Sequence, residues 1–268
     1  MVDNVIEGEG TRIEEHGAIA VIKLNRPERM NAYGEEMTRE INAYLHTLNS
    51  GDYRIRAIIL TGEGRAFCAG GNVKTFPGAD LERRRPPWRP SHHEQSTIMQ
   101  MRYCDVPVIA AINGFCLGMG LGLALGTDLR ICADDAMFQV AQTKRGIVGD
   151  YGIPHFLPRA VGMQRAAELM MTGRRFNAEE AKQYGIVLDV VPAAELMDRA
   201  FDLANLIAQG PPLGLAATKR LIYQNEFDDL ARIQDLTGQY VHHLFVSEDG
   251  VEGVKSFMEK REPNFQGR

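Results

Sequence analysis

Cysteine is scarce in this sequence, and no two cysteines are spaced for metal binding. The four thiols are scattered along the chain and form no C-x-x-C motif: Cys68, Cys104, Cys116 and Cys132. We therefore expect neither a disulfide framework nor a zinc site, and we predict that the protein binds no metal. A chain of 268 residues buries enough apolar surface to fold without either of them.

An excess of basic residues and a secretory leader are also lacking. The chain has 30 Lys and Arg residues against 35 Asp and Glu residues, a net charge of −5, which argues against a nucleic-acid-binding protein. The first ten residues, MVDNVIEGEG, are acidic and contain no apolar run of the kind found in signal peptides. We expect a soluble protein of the reducing cytoplasm, with no nucleic acid or membrane as a partner.

One uncharged run, residues 106–126, is long enough to cross a bilayer. Pro107 stands at its start, Asn113 and Gly114 interrupt it, and four glycines follow before it ends. The pattern predicts a buried strand, a tight turn and the start of a helix rather than a membrane span.

Apolar runs and helical patterns alternate over the first 190 or so residues, which predicts an α/β fold with a mostly parallel sheet. A helical pattern covers residues 35–48, and Ser247 is placed to cap the last helix. After Gly162 the chain is largely helical, so we divide it into a core (1–195) and a C-terminal helical region (196–268). The predicted strands are residues 19–24, 56–60, 106–112, 129–133 and 187–191.

Two glycine-rich turns, residues 69–72 and 118–120, each follow a predicted buried strand. Glycine lets backbone approach a ligand closely, and the start of a helix leaves N–H groups without acceptors. Two such turns on neighbouring strands can direct two N–H groups at one oxygen, as an oxyanion hole requires. Alternatively, the glycines only permit close packing of strand and helix. A dinucleotide-binding turn remains a weak alternative, because Leu125 stands where the third glycine of that motif is needed.

Asp150 is the strongest candidate for a proton-transferring group. It lies in the uncharged run GIVGDYGIP, and a carboxylate beside apolar residues is suited to acid–base chemistry near neutral pH. The alternative is a turn aspartate that caps the next helix. The histidines are weaker candidates: we expect His155 to be a packed side chain, and His92 and His93 lie in an Arg- and Pro-rich stretch. We interpret Cys68 and Cys116 as small buried apolar residues.

Four segments resemble the crotonase (enoyl-CoA hydratase/isomerase) superfamily in order and spacing. They are RAFCAGGNVKTF (65–76), PVIAAINGFCLGMGLGLAL (107–125), GIVGDYG (146–152) and KSFMEKREPNF (255–265). The resemblance implies a core built as a spiral of ββα units, a C-terminal helical region that forms trimers or pairs of trimers, and a coenzyme A thioester as substrate with no further cofactor. It also implies that the N–H groups of Gly71 and Met119 hold the thioester oxygen.

The resemblance further implies a set of contacts to coenzyme A. Arg26 and Lys74 are expected at its phosphates, while Phe257 and Lys260 are expected at a coenzyme A site, either that of their own subunit or that of a neighbouring one. The residues expected to lie along its adenine and pantetheine are Ala69, Gly70, Gly71, Asn72 and Val73.

The sequence departs from the family's hydratases at both catalytic glutamates. The matching positions are Gly122 and Gln142, neither of which transfers a proton, and we expect Gln142 to contact substrate. Asp150 matches the aspartate of dienoyl-CoA isomerases and of some carbon–carbon hydrolases. We predict isomerisation or hydration of an enoyl-CoA with Asp150 as acid and base. The alternatives are a C–C bond hydrolase or decarboxylase of the same superfamily, or a non-catalytic coenzyme A-binding protein.

Overall fold

A computed structural model describes residues 2–48, 51, 53–71 and 96–268. The strands in these ranges are β1 (Asn4–Glu7), β2 (Thr11–His16), β3 (Ile19–Leu24), β4 (Ala57–Gly62), β5 (Ala66–Cys68), β6 (Val108–Ile112), β7 (Phe115–Leu117), β8 (Leu129–Ala133), β9 (Met137–Gln139), β10 (Arg175–Asn177) and β11 (Asp189–Val191). The helices are α1 (Glu35–Leu48), α2 (Thr97–Tyr103), α3 (Met119–Leu125), α4 (Ile153–Val161), α5 (Met163–Thr172), α6 (Ala178–Gln183), α7 (Leu196–Ala208), α8 (Pro212–Gln224), α9 (Leu230–Phe245) and α10 (Glu248–Glu259).

The larger sheet has seven strands in the order β1-β2-β3-β4-β6-β8-β11. The five strands from β3 to β11 are parallel, and β1 and β2 add an antiparallel edge. All five predicted strands occur in this sheet, although the last begins at Asp189 rather than at residue 187. The helix predicted over residues 35–48 is confirmed with both ends as predicted.

A second sheet, in the order β10-β9-β7-β5, was not predicted. Each of its strands has three residues, too few to show an alternating pattern in the sequence. The strands β5, β7 and β9 are parallel, so their carboxyl ends lie along one edge. Both glycine-rich turns begin at that edge.

The core lies on both faces of the larger sheet, because successive strand residues point to opposite sides. On one face Ile22 and Ile58 pack with the apolar side of α1. On the other face Val21 and Ile59 pack against Ala200 of α7. The helix α7 therefore packs on the sheet, although the predicted division at residue 195 assigns it to the C-terminal region.

The uncharged run of residues 106–126 forms β6, β7 and the whole of α3. Its residues are mainly buried in the core. Within the described ranges, we find no helix with the length and apolar character needed to span a membrane. The interpretation of this run as strand, turn and helix is confirmed, with β7 as an additional short strand.

Candidate active site

The two glycine-rich turns lie against each other at the end of the second sheet. A Cβ atom added at Gly120 would clash with the carbonyl oxygen of Cys68, so this glycine permits α3 to approach β5. A Cβ atom added at Gly71 would lie 2.6 Å from Sδ of Met119. The structure thus brings together Gly71 and Met119, the two residues whose N–H groups are expected to hold the thioester oxygen.

Backbone hydrogen bonds hold both turns in place. The N–H of Tyr33 donates to the carbonyl of Gly70 at 2.8 Å, and the N–H of Ala69 donates to Met30 at 2.9 Å. The N–H of Gly118, which has a φ of +53°, donates to Gln139 at 2.9 Å. The N–H groups of Gly71 and Met119 donate to no other described residue, so both are available to a ligand.

Asp150 lies beside these turns and is held by an amide. Nε2 of Gln142 donates to Oδ1 of Asp150 at 2.7 Å, and the Gln142 side chain packs 3.5 Å from the position of a Cβ on Gly118. Gln142 is only 6% exposed, and its Oε1 accepts no hydrogen bond from another described residue. Asp150 itself is exposed. The described residues therefore do not enclose this carboxylate among apolar side chains, as was expected, and its hydrogen-bond partner is an amide.

The turn that carries Asp150 depends on Gly122. A Cβ atom on Gly122 would clash with the carbonyl oxygen of Tyr151, so no side chain fits between α3 and this turn. Tyr151 (φ +52°) and Gly152 (φ +79°) both adopt the left-handed conformation, which is uncommon for a tyrosine. The helix α4 begins at Ile153 with no side-chain cap, so the alternative role of Asp150 as a helix cap is wrong.

A buried tyrosine, Tyr33, and a half-buried one, Tyr151, adjoin the site. The rings of Tyr33 and Tyr151 lie 5.6 Å apart, and the Tyr33 hydroxyl shares a 2.7 Å hydrogen bond with Oγ1 of Thr97. Burial raises the pKa of both phenols, so they stay protonated at neutral pH. Burial also raises the pKa of the Cys68 thiol to about 11. Both Cys68 and Cys116 are fully buried, as predicted.

A cavity of about 990 Å³ opens beside Asp150. Its described wall includes Asp150, Tyr151, Arg102, His155 and Glu226. Nε2 of His155 lies 2.9 Å from a carboxylate oxygen of Glu226. His155 therefore lines the cavity with a carboxylate partner rather than being simply packed in the core. Arg102 was not predicted from the sequence. There it is only the single charged residue near the end of a mainly apolar helix.

The other aspartates of the central region have structural roles. Asp128 accepts from the N–H of Val108 at 2.7 Å and pairs with Lys219 at 2.9 Å. Asp105 pairs with Arg220 at 2.6 Å. The remaining two, Asp134 and Asp135, lie in an exposed turn.

The predicted coenzyme A contacts remain predictions. The Arg26 guanidinium pairs with Glu36. Phe257 is 84% exposed on α10, and Lys260 follows that helix with a φ of +55°. Some of the predicted site residues lie outside the described residues: Asn72, Val73, Lys74, His92 and His93. Nearly all of the 78–97 loop, predicted to help shape the acyl pocket, lies outside them as well.

Comparisons with known proteins identify the family of this chain. A family model described as enoyl-CoA hydratase/isomerase matches residues 14–268. A probable enoyl-CoA hydratase of Rhodobacter capsulatus is 36% identical over 96% of this chain and 98% of its own length. The 1,2-epoxyphenylacetyl-CoA isomerase of Escherichia coli K12 is 35% identical over 93% and 95%, respectively.

A solved structure shares the fold over the same extent. The crystal structure of an enoyl-CoA hydratase from Bacillus anthracis superposes with a TM-score of 0.88 at 32% identity, covering 97% of this chain and 100% of that one. These matches span nearly the whole chain, including both glycine-rich turns and the Asp150 segment. The chain therefore belongs to the enoyl-CoA hydratase/isomerase family, and it is an enzyme of that type.

Proposed function

We propose that this protein isomerises an enoyl-CoA through a thioester enolate, with Asp150 moving the proton. The observation that supports this most is that two adjoining turns each carry an N–H group with no acceptor among the described residues, those of Gly71 and Met119. One exposed carboxylate lies next to them. In this proposal the two N–H groups donate to the thioester oxygen. Each such donor typically contributes about 2.7–4 kcal/mol in the transition state, because negative charge develops on that oxygen.

Asp150 would carry out both proton transfers. Its carboxylate accepts a proton from a carbon of the acyl chain, which leaves an enolate, and then returns the proton to a different carbon. The double bond moves, and the carboxylate is regenerated without water or a cofactor. Gln142 fixes the orientation of the carboxylate through the 2.7 Å hydrogen bond to Oδ1.

The residues around Asp150 favour isomerisation over hydration. Hydration needs one group to activate water and another to protonate the α-carbon. Gly122 has no side chain, and the Tyr151 carbonyl occupies the space that one would need. Gln142 can orient water but cannot take its proton. Because each missing acid–base group typically costs about 10²–10⁴ in rate, we expect only weak hydration of crotonyl-CoA.

A turnover screen with Asp150→Asn tests the proposal. The wild type should isomerise a member of a panel of enoyl-, dienoyl- and β-ketoacyl-CoA thioesters, and Asp150→Asn should lower kcat on it at least about 10²-fold. Binding of the thioester should persist, because asparagine keeps the shape of the site. Asp135→Asn, in an exposed turn, is the matched control. Efficient crotonyl-CoA hydration that survives in Asp150→Asn would contradict the proposal.

A further inference from the structure

Arg102 is an enclosed cation in the wall of the cavity that contains Asp150. Its side chain is 12% exposed. The guanidinium carbon lies 3.6 Å from the ring centre of Tyr223 and 4.4 Å from that of Phe156, so the group is stacked between two aromatic rings. This stacking fixes the guanidinium in place and removes most of its contact with water.

The hydrogen-bond donors of Arg102 have no acceptor among the described residues. Nε and Nη1 are enclosed and donate to no other described residue. Enclosed donors without acceptors are uncommon in proteins, because each loses its hydrogen bond to water without replacement. Nη2 is not among these enclosed and unpaired atoms, and Arg102 lines the cavity.

The nearby carboxylates do not satisfy this guanidinium. Oε1 of Glu226 lies 3.8 Å from Nη1, beyond hydrogen-bonding distance, and Oε2 of Glu226 is bound by His155 at 2.9 Å. Asp128 is already committed to Lys219 at 2.9 Å and to the hydroxyl of Tyr223. Arg102 therefore has a charge partner but no acceptor at hydrogen-bonding distance among the described residues.

The position of Arg102 places it beyond the reacting end of the cavity. Thr97, at the start of α2, bonds to Tyr33, which packs on Tyr151 beside Asp150. Arg102 follows Thr97 by five residues, so it lies about 7 Å further along the helix axis. Asp150 and Arg102 line the same cavity, so a thioester whose reacting carbons lie at Asp150 can reach Arg102 with the far end of its acyl chain.

We infer that Arg102 binds an oxygen at the far end of the acyl group, so that the substrate is an enoyl-CoA whose chain ends in a ketone or carboxylate. This inference rests on the proposed function for the thioester end. A hydrogen bond from Nη2 to such an oxygen is charge-assisted, and such bonds are roughly twice as strong as those between neutral groups. A cationic chain end is excluded, because Arg102 already occupies the position between the two rings where a cation would stack.

Binding measurements separate this inference from the proposed reaction. We would use the Asp150→Asn protein and four 2-enoyl-CoA thioesters of equal chain length, ending in a methyl, methyl ketone, carboxylate or trimethylammonium group. Binding is read by calorimetry, so the acyl preference is measured whether or not Asp150 is the catalytic group. The ketone or the carboxylate should bind about 10- to 100-fold more tightly than the methyl thioester.

Substitution of Arg102 should abolish that preference. Arg102→Leu should reduce the difference between chain ends to less than about threefold, while affinity for the methyl thioester changes little. Arg165→Leu is the matched control, because Arg165 stacks 4.4 Å from the ring centre of Tyr184 and pairs with Glu168 at 3.3 Å outside this cavity. If Arg102→Leu does not fold, Arg102→Gln replaces it, since glutamine keeps a polar chain but removes the charge.

Glu226→Gln distinguishes a binding role from a structural ion pair. Removing the competing carboxylate should strengthen binding of the carboxylate-ended thioester several-fold. If Arg102 serves only to pair with Glu226, both variants lose thermal stability and neither changes the order of affinities. Tightest binding of the methyl or trimethylammonium thioester, or an unchanged preference in the Arg102 variant, overturns the inference.

Discussion

Backbone N–H groups, rather than side chains, are the proposed donors to the thioester oxygen. Met119 lies with its sulfur against Gly71, so a change at either residue disturbs the other. A test of the N–H groups must therefore separate the loss of a donor from the loss of this contact.

Gly71→Pro should lower kcat/KM at least about 10²-fold, because proline has no N–H to donate. The control is the double variant Gly71→Ala with Met119→Ala, which keeps both N–H groups and removes the sulfur that a Cβ would meet at 2.6 Å. It should retain activity within about tenfold of the wild type. Equal loss in both proteins, with folding confirmed by circular dichroism, would contradict the assignment.

The contact between Gln142 and Asp150 can be tested by its effect on the pH profile. In Gln142→Glu two carboxyl groups would lie within hydrogen-bonding distance, and each would disfavour the charged form of the other. A base must be deprotonated to act, so the rise of kcat/KM should move to higher pH by about 1–2 units. Gln142→Met, which adds no charge, should lower kcat without moving the profile. An unchanged profile in Gln142→Glu would show that the two side chains do not meet in solution.

At the scale of elements, the helix α8 closes one side of the cavity and is fastened by a buried lysine. Nζ of Lys219 donates to the carbonyls of Met101 and Val106 at 2.7 and 3.0 Å and pairs with Asp128 at 2.9 Å. The Lys219 side chain is 5% exposed. All its donors are used, so it connects α8 to the end of α2 and the start of β6.

Lys219→Met should lower the free energy of unfolding by about 3–5 kcal/mol, because it leaves Asp128 and two carbonyls without their partner. A fall of roughly 10 °C in the thermal midpoint corresponds to this loss. Lys255→Met, on the exposed side of α10, should leave the midpoint within about 1–2 °C, as is usual for surface substitutions. A similar midpoint for both variants would show that the buried contacts do not stabilise α8.

The elements that the sequence predicted are those with a strong apolar pattern. The strand β4 is buried along its whole length and begins with four apolar residues, and α1 shows helical spacing along its whole length. The second sheet escaped prediction because its strands are too short for a pattern. Within the site, glycine spacing predicted both turns and the uncharged run predicted Asp150. Gln142 was predicted as a site residue, but its hydrogen bond to Asp150 and the place of Glu226 were not, since both depend on which chain segments the tertiary fold brings together.

At the scale of the whole molecule, the last two helices present apolar side chains that the single chain does not bury. On α9, Leu230 is 75% exposed, and no residue of this helix is buried. On α10, Phe257 and Met258 are 84% and 77% exposed, respectively. Exposed apolar patches of this kind mark surfaces that meet another protein chain.

We expect these helices to pack between copies of this chain in a trimer or a pair of trimers. Light scattering at micromolar concentration should give three or six times the 29.8 kDa mass of one chain. The double variant Phe257→Lys with Met258→Lys should shift the mass towards that of one chain, because burying two charges at an apolar contact is costly. Met171→Lys, at a 78% exposed position on α5, should leave the mass unchanged. A wild-type protein of 29.8 kDa in solution would contradict this expectation. Phe257 would then be exposed to solvent rather than placed at a neighbouring subunit's coenzyme A site.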